Sequence, residues 1–226
     1  MRFFLRLLTW LVLAACGWLI WTEIGLREWF SPRRSAALDP AFLRLGAAEI
    51  ASLPLAVRFD YPLGTEHGGL TYNARGFRVA RHLGADLNGI GGGNSDLGDP
   101  VFAVADGRVV YAGEPGEGWG RMLIVAHRLP DPADPRGHRV VQSVYAHLQD
   151  FAVPPGRDVR RGERLGSVGT AEGRYLAHLH FEIREGPYIN PGQGYADTPL
   201  NRVDPETFLR AHRGADDAQL NAAPDL

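Results

Sequence analysis

From Arg58 onward the chain consists of short apolar runs separated by glycines, and few folds are compatible with this pattern. Runs such as "RMLIVAHR", "RVVQSVYAHL" and "HLHFEIREG" have the length and alternation of β-strands. The chain contains 28 glycines and 16 prolines, which favour turns between such runs. The sequence therefore predicts a mainly β domain, built as an antiparallel sheet of sandwich-like form.

Short helices are predicted on both sides of this domain. Asp39 and Pro40 in "DPAFLRLGAAEIASL", and Asp204 and Pro205 in "DPETFLRAHR", have the N-cap and first-position pattern of a helix start. We therefore divide the chain into an N-terminal segment 1–23, a linker or short helix 24–57, the β domain 58–212 and a disordered tail 213–226.

The N-terminal segment has the features of an export signal. Arg2 and Arg6 precede an apolar run, Leu7 to Thr22, that ends at Glu23. A helix from Phe3 to Thr22 would have about 20 residues, enough to cross a bilayer, with its arginines on the cytoplasmic side. We expect an inner-membrane anchor that places the domain in the periplasm or against the cell wall.

Cleavage of this segment is the alternative. "LAAC", which ends at Cys16, resembles the lipobox of bacterial lipoproteins, whose cysteine is acylated after the signal is cut. The following "GWLIW" remains apolar, which favours the uncleaved anchor, and soluble secretion is a third possibility. All three place the domain on the same side of the membrane. The formal net charge of −2 offers no basic face for nucleic acid.

The candidate catalytic chemistry begins with "HLHFEIREG". Residues two apart in a strand share a face, so His178, His180 and Glu182 lie together, opposite an apolar face that makes the core. One H-x-H pair is compatible with a solvated polar face. Two further stretches change this interpretation, because "HLGAD" supplies His82 and Asp86 and "VYAHLQD" supplies His147.

These residues contain the donors of a catalytic zinc site. His82, Asp86 and one histidine of the H-x-H pair give two nitrogens and one oxygen, leaving one tetrahedral position for water. Zinc would bring the pKa of that water to about 7. The chain has no H-E-x-x-H, so the remaining histidines must handle the protons.

In this order, "HLGAD", "YAHL", "HLHFEIREG" and the helix start "DPETFL" resemble the lysostaphin-type (LytM-like) peptidoglycan metalloendopeptidases, over roughly Phe59 to Leu209. The resemblance implies Zn²⁺ held by His82, Asp86 and His180. It implies that His147 and His178 act as general base and oxyanion donor, without saying which is which. It also implies that the substrate is an amide bond in peptidoglycan stem peptides or cross-bridges.

Two segments depart from the family pattern. Arg174, Tyr175 and Leu176 stand before the H-x-H where many members have small residues, and "GIGGGNSD" is inserted after Asp86. Both departures bear on the walls of the substrate groove. The rival hypothesis is a catalytically silent binding module that activates other wall hydrolases, but the complete ligand set favours an enzyme. A regulatory protein partner remains open in either case.

Overall fold

The structure, a computed structural model, describes residues 6, 10, 43–116, 118–131, 133–134 and 137–214. The chain divides into two compact units, Met1–Pro40 and Ala41–Leu226. Apart from Arg6 and Trp10, which are helical, the predicted membrane segment 1–23 lies outside the described residues, as does the predicted tail from residue 215 onward. Among the described residues no helix is long and apolar enough to cross a membrane.

Antiparallel strands make up most of the second unit, as the sequence predicts. The strands are β1 Leu43–Arg44, β2 Thr71–Arg75, β3 Ala85–Gly89, β4 Pro100–Phe102, β5 Gly107–Gly113, β6 Arg121–Pro130, β7 His138–Phe151, β8 Asp158–Val159, β9 Arg164–Val168, β10 Leu179–Glu185, β11 Tyr188–Ile189 and β12 Arg202–Val203. Seven of them form the continuous path β2-β3-β10-β7-β6-β5-β8, while β4, β9 and β12 join the same sheet at its sides and β1 pairs with β11.

The central strands are buried on both faces, which gives the domain two apolar clusters. Alternate residues of β6 and β7 enter different clusters: Leu123 and Tyr145 join one, and Ile124 and Val144 join the other. On β10, Leu179, Phe181 and Ile183 are fully buried in the first cluster. The opposite face of β10 is polar but also buried, because the segment from residue 188 to 202 covers it.

Two short helices complete the unit. Helix α2, Pro205–Ala211, begins as predicted, with Asp204 Oδ1 accepting hydrogen bonds from the Glu206 and Thr207 amides. The predicted helix start at Asp39 and Pro40 lies outside the described residues, within which Leu43–Arg44 form β1 and helix α1 covers Ala47–Ser52. Leu45, Ile50 and Leu53 are buried in the second cluster, so this part of the predicted linker packs into the domain.

Candidate metal centre

Three neighbouring strands bring the predicted ligands into one row. Asp86 on β3 pairs directly with His180 on β10, and on its other side it pairs with Arg75 of β2. His82 lies just before β3, and Gly84 lets this segment pass close against β10. A Cβ at Gly84 would lie 2.5 Å from the Phe181 carbonyl oxygen and 3.0 Å from His180 Cε1. The glycine that makes a helix unfavourable here is therefore the residue that brings His82 and Asp86 to His180.

The ligand atoms form a nearly equilateral triangle. His82 Nε2 lies 2.9 Å from His180 Nδ1, and Asp86 Oδ1 lies 3.1 Å from each of these nitrogens. All three residues are buried. Within the described part of the chain, this is the one group of three or more histidine, cysteine or acidic side chains that could hold a metal ion.

This triangle fits zinc. Zinc–nitrogen and zinc–oxygen bonds of about 2.1 Å imply tetrahedral edges of about 3.4 Å, so the observed separations need to open by only a few tenths of an ångström. Two imidazole nitrogens and one carboxylate oxygen are the donors of a catalytic zinc site, in which the fourth position is left for water. His82, Asp86 and His180 can therefore hold such an ion.

His180 is fixed from behind by a fully buried carboxylate. Its Nε2 lies 3.0 Å from Glu182 Oε1, so Nε2 donates its proton to Glu182, and a neutral His180 ring would present the lone pair of Nδ1 to a metal ion in the triangle. Glu182 Oε2 in turn accepts from Arg184 Nε at 2.6 Å and from Arg202 Nε at 3.3 Å. His82 differs, because its Nδ1 is buried without a hydrogen-bond partner among the described residues.

The two arginines connect this carboxylate to the segment that covers β10. Arg184 donates to the Asn190 and Pro191 carbonyl oxygens, and Arg202 donates to the Gln193 carbonyl oxygen. The same segment continues to Gly194 and Tyr195, which line the groove beside the triangle. Glu182 therefore stands between a proposed metal ligand and one wall of the groove.

A β-bulge places the fourth histidine. Leu123 pairs with Tyr145 but Arg121 pairs with Leu148, so β7 contains one extra residue there. His147 occupies the bulge with a φ of 64°, a left-handed conformation that is strained for a non-glycine residue. Strict alternation would send His147 into the first apolar cluster with Tyr145. The bulge instead turns its ring to within 4.7 Å of the His178 ring, centroid to centroid.

His147 and His178 present the same nitrogen to the groove. His147 Nδ1 donates to the Trp119 carbonyl oxygen at 3.0 Å, and His178 Nδ1 donates to the Leu176 carbonyl oxygen at 2.8 Å. Each backbone contact leaves Nε2 directed inward, and His178 Nε2 lies 3.7 Å from Asp86 Oδ1. The second pair therefore adjoins the triangle without being part of it.

The protein's own charges set the protonation of these groups. Burial would raise the pKa of Asp86, but hydrogen bonds from His180 and His82 outweigh it and hold that pKa far below its usual value. Burial would lower the pKa of His180, whereas hydrogen bonds to Asp86 and Glu182 raise it to about 9. Burial and the neighbouring His180 and His178 lower the pKa of His147 to about 3, which keeps it neutral at pH 7.

A groove of about 270 Å³ opens over the triangle. Aromatic side chains form much of its wall, and Arg75 lies at its rim with Nε 3.9 Å from Asp86 Oδ2. The residues lining the groove are Arg75, Asp86, Gly118, Trp119, His147, Tyr175, His178, His180, Gly194 and Tyr195. The inserted loop after Asp86 contacts the residue before His178, since Asn94 Oδ1 accepts from the Ala177 amide at 2.8 Å.

The structure thus gathers all five histidine and aspartate residues singled out in the sequence, and it adds others that the sequence did not reveal. Arg75, Trp119 and Tyr195 come from segments without a motif. On β2, Asn73 donates to Glu206, and it is Arg75 that reaches the groove. The sequence did give one indication for Glu182, because it stands two residues after His180 and so shares the same face of the strand.

Sequence comparison identifies relatives of this chain. The model of "Peptidase family M23" matches residues 81–191. Lipoprotein NlpD of Yersinia enterocolitica is 35% identical over 95 residues, 42% of this chain and 87% of that protein. Murein hydrolase activator NlpD of Escherichia coli is 34% identical over 107 residues, 44% of this chain and 25% of that protein.

A third relative, DD-carboxypeptidase/endopeptidase Mpg of Neisseria meningitidis serogroup B, is 34% identical over 121 residues, 53% of this chain and 25% of that protein. The chain therefore spans a quarter of the length of the second and third relatives. It covers most of the first relative, at an identity well above chance. By these matches, the chain belongs to peptidase family M23.

Proposed function

We propose that this protein is a zinc-dependent peptidase that hydrolyses amide bonds in peptidoglycan stem peptides or cross-bridges. One observation carries the proposal: His82 Nε2, Asp86 Oδ1 and His180 Nδ1 lie within 3.1 Å of one another, beneath a groove that Asp86 and His180 line. The catalytic domain is proposed to cover residues 58–212, together with the β1 and α1 segment that packs on it.

The three ligands would hold Zn²⁺, which supplies a Lewis acid for the scissile carbonyl and an acidified water. The protein supplies the rest of the chemistry. His82 and His180 are neutral donors when the ion is bound, and Asp86 adds one negative charge. Glu182 keeps the His180 proton on Nε2, so that Nδ1 is available to the ion.

His147 and His178 are proposed to move the protons of hydrolysis. One proton must leave the attacking water and one must reach the departing amine, and both Nε2 atoms face the space between. Burial keeps His147 neutral at pH 7, with a lone pair on Nε2 because Nδ1 donates to the Trp119 carbonyl oxygen. When protonated, either ring can donate to the developing oxyanion.

A catalytically silent activator is the second candidate function. Its support is the relative named as a murein hydrolase activator, which is 34% identical over 107 residues. A silent module has no need of a complete ligand set beside two inward-facing imidazoles. This chain has both, so we favour the enzyme.

Digestion of purified sacculi tests the proposal. The zinc-loaded chain should contain about one zinc and release soluble muropeptides, whereas His180→Ala should lose both the metal and the activity. Mass analysis of the products identifies the bond. A wild-type chain with stoichiometric zinc that releases nothing from sacculi, but stimulates a separate wall hydrolase, would establish the activator function instead.

The N-terminal segment 1–23 is proposed to tether the domain in the cell envelope, beside its polymer. An uncleaved inner-membrane anchor remains our first choice. A lipoprotein acylated at Cys16 is the alternative, and a relative named as a lipoprotein favours it. Mass spectrometry of the mature N-terminus decides, because a diacylglyceryl group on Cys16 is incompatible with the uncleaved anchor.

A further inference from the structure

Arg75 has a position that hydrolysis of an amide does not by itself require. It is the one arginine among the described residues that line the groove over the metal triangle. A bulge between Asn73 and Arg75 shifts the β2 register, so that Arg75 faces Asp86 directly across the strand pair. Bulges re-aim side chains, and here the guanidinium is brought to the rim beside a proposed zinc ligand.

The guanidinium is held in place but remains accessible. Arg75 Nη1 donates to the Tyr195 hydroxyl at 2.6 Å, and the Tyr195 ring lies 5.3 Å from the His82 ring, centroid to centroid. The Arg75 side chain is nevertheless 46% exposed. The described residues place no hydrogen-bond acceptor on its Nη2 group, so donors remain for a ligand.

Stability does not explain this arrangement. The nearest carboxylate oxygen, Asp86 Oδ2, lies 3.9 Å from Arg75 Nε, too far for a hydrogen bond, and a half-exposed pair of this kind contributes little to folding. The single negative charge of Asp86 lies between Arg75 and the triangle, and it could not balance both a divalent cation there and the guanidinium. An anion bound in the groove would be attracted by the positive charge that remains.

On the basis of the proposed function, we infer that Arg75 binds a carboxylate of the substrate next to the scissile amide. A planar guanidinium anchored at one nitrogen is prepared for two parallel hydrogen bonds to a carboxylate, which adds orientation as well as affinity. The carboxylate has two possible sources, the C-terminal carboxylate of the peptide and an internal glutamyl carboxylate. The first source would give the groove a preference for cutting near a free peptide end.

Equilibrium binding tests the inference separately from catalysis. The probe is a synthetic stem-type pentapeptide with two carboxyl groups, one at its C-terminus and one on its glutamyl residue. Three forms are compared: one with both carboxyl groups free, one with only the C-terminal carboxyl amidated, and one with only the glutamyl carboxyl amidated. Each form is titrated by calorimetry into the full-length chain, stripped of metal so that nothing is cleaved. The wild type should bind the fully free peptide about 10- to 100-fold more tightly than one of the amides, and that amide identifies the source.

Substitutions then test whether Arg75 is responsible for the preference for the free peptide over the amidated one. Arg75→Gln should bind the free and amidated peptides equally, and Arg75→Lys should retain only part of the preference because it lacks the fork. Arg81→Gln is the matched control, since Arg81 is exposed, pairs with Asp197 and does not line the groove. A wild type that binds all three peptides alike or binds none, or an Arg75→Gln variant that keeps the preference, overturns the inference. Failure to cleave sacculi with zinc restored refutes only the proposed activity.

Discussion

Glu182 Oε1 accepts a hydrogen bond from His180 Nε2 at 3.0 Å, beneath the groove, where Glu182 is fully buried and His180 nearly so. The same carboxylate receives Arg184 and Arg202, which hold the segment that forms one groove wall. Three donors together satisfy the hydrogen-bonding capacity of this buried carboxylate, which a single donor would not do. It therefore fixes the His180 ring and the position of the wall together.

Glu182→Gln should weaken zinc binding by about 10- to 100-fold, because glutamine removes the negative charge that supports His180 as a ligand. Competition with a chromophoric chelator measures the affinity without reference to activity. Glu185→Gln is the control on the same strand, where Glu185 is exposed and pairs with Arg139. Equal zinc affinities for Glu182→Gln and the wild type would show that the carboxylate serves packing alone.

Substitution of the proposed proton-transfer histidines should affect the rate of hydrolysis, whereas substitution of a proposed metal ligand should affect zinc binding. His178→Ala and His147→Ala should each retain about one zinc but lower the rate of wall hydrolysis about 100- to 10,000-fold, since they move protons and do not hold the ion. His82→Ala should lose the zinc. Metal content by mass spectrometry and turnover of a defined muropeptide measure the two effects. Loss of zinc in His178→Ala would place that residue among the ligands instead.

Alternation along a single strand made part of this site predictable. His180 and Glu182 share a face of β10, His178 lies one residue before the strand and lines the same groove as His180, and the apolar residues between them are buried as expected. His147 required more than alternation, because its direction depends on a bulge in the pairing of β7 with the preceding strand β6. Only the family resemblance assigned it a role in advance.

Long-range contacts placed the residues that the sequence did not reveal. Arg75 is directed by its register with β3, and Tyr195 by a wall segment that Arg184 and Arg202 hold from behind. The spacing of residues within one segment of the sequence does not predict such contacts. The burial of Glu182 and Arg184 was not predictable from the sequence either. A polar strand face ordinarily indicates exposure to solvent, whereas here it forms a buried network of charged side chains.

Gly84→Ala should damage the metal centre although residue 84 is not a ligand. The added Cβ would lie 2.5 Å from the Phe181 carbonyl oxygen and 3.0 Å from Glu182 Cγ, so β3 and β10 would have to separate. We expect a loss of about 1–3 kcal/mol in the free energy of unfolding and weaker zinc binding. Gly76→Ala is the control, because the nearest atom to its Cβ is 3.6 Å away. Urea denaturation and chelator competition measure the two effects, and wild-type values for both would contradict the proposed close approach.

His127 should make the fold sensitive to mild acid, independently of the metal centre. It is fully buried, with Nδ1 donating to the Asp106 carbonyl oxygen at 2.8 Å and Nε2 2.7 Å from Ser143 Oγ, and burial lowers its pKa to about 4. Between pH 6.5 and pH 4 the unfolded chain binds a proton that the folded chain does not, so stability falls as pH falls, by about 2 kcal/mol at pH 5.

His127→Gln should lack this part of the decline, even if it is less stable at pH 7.5. The comparison is the difference in unfolding free energy between pH 7.5 and pH 5, with the exposed His67→Gln as control. An unchanged difference in His127→Gln would mean that His127 titrates normally in the folded protein.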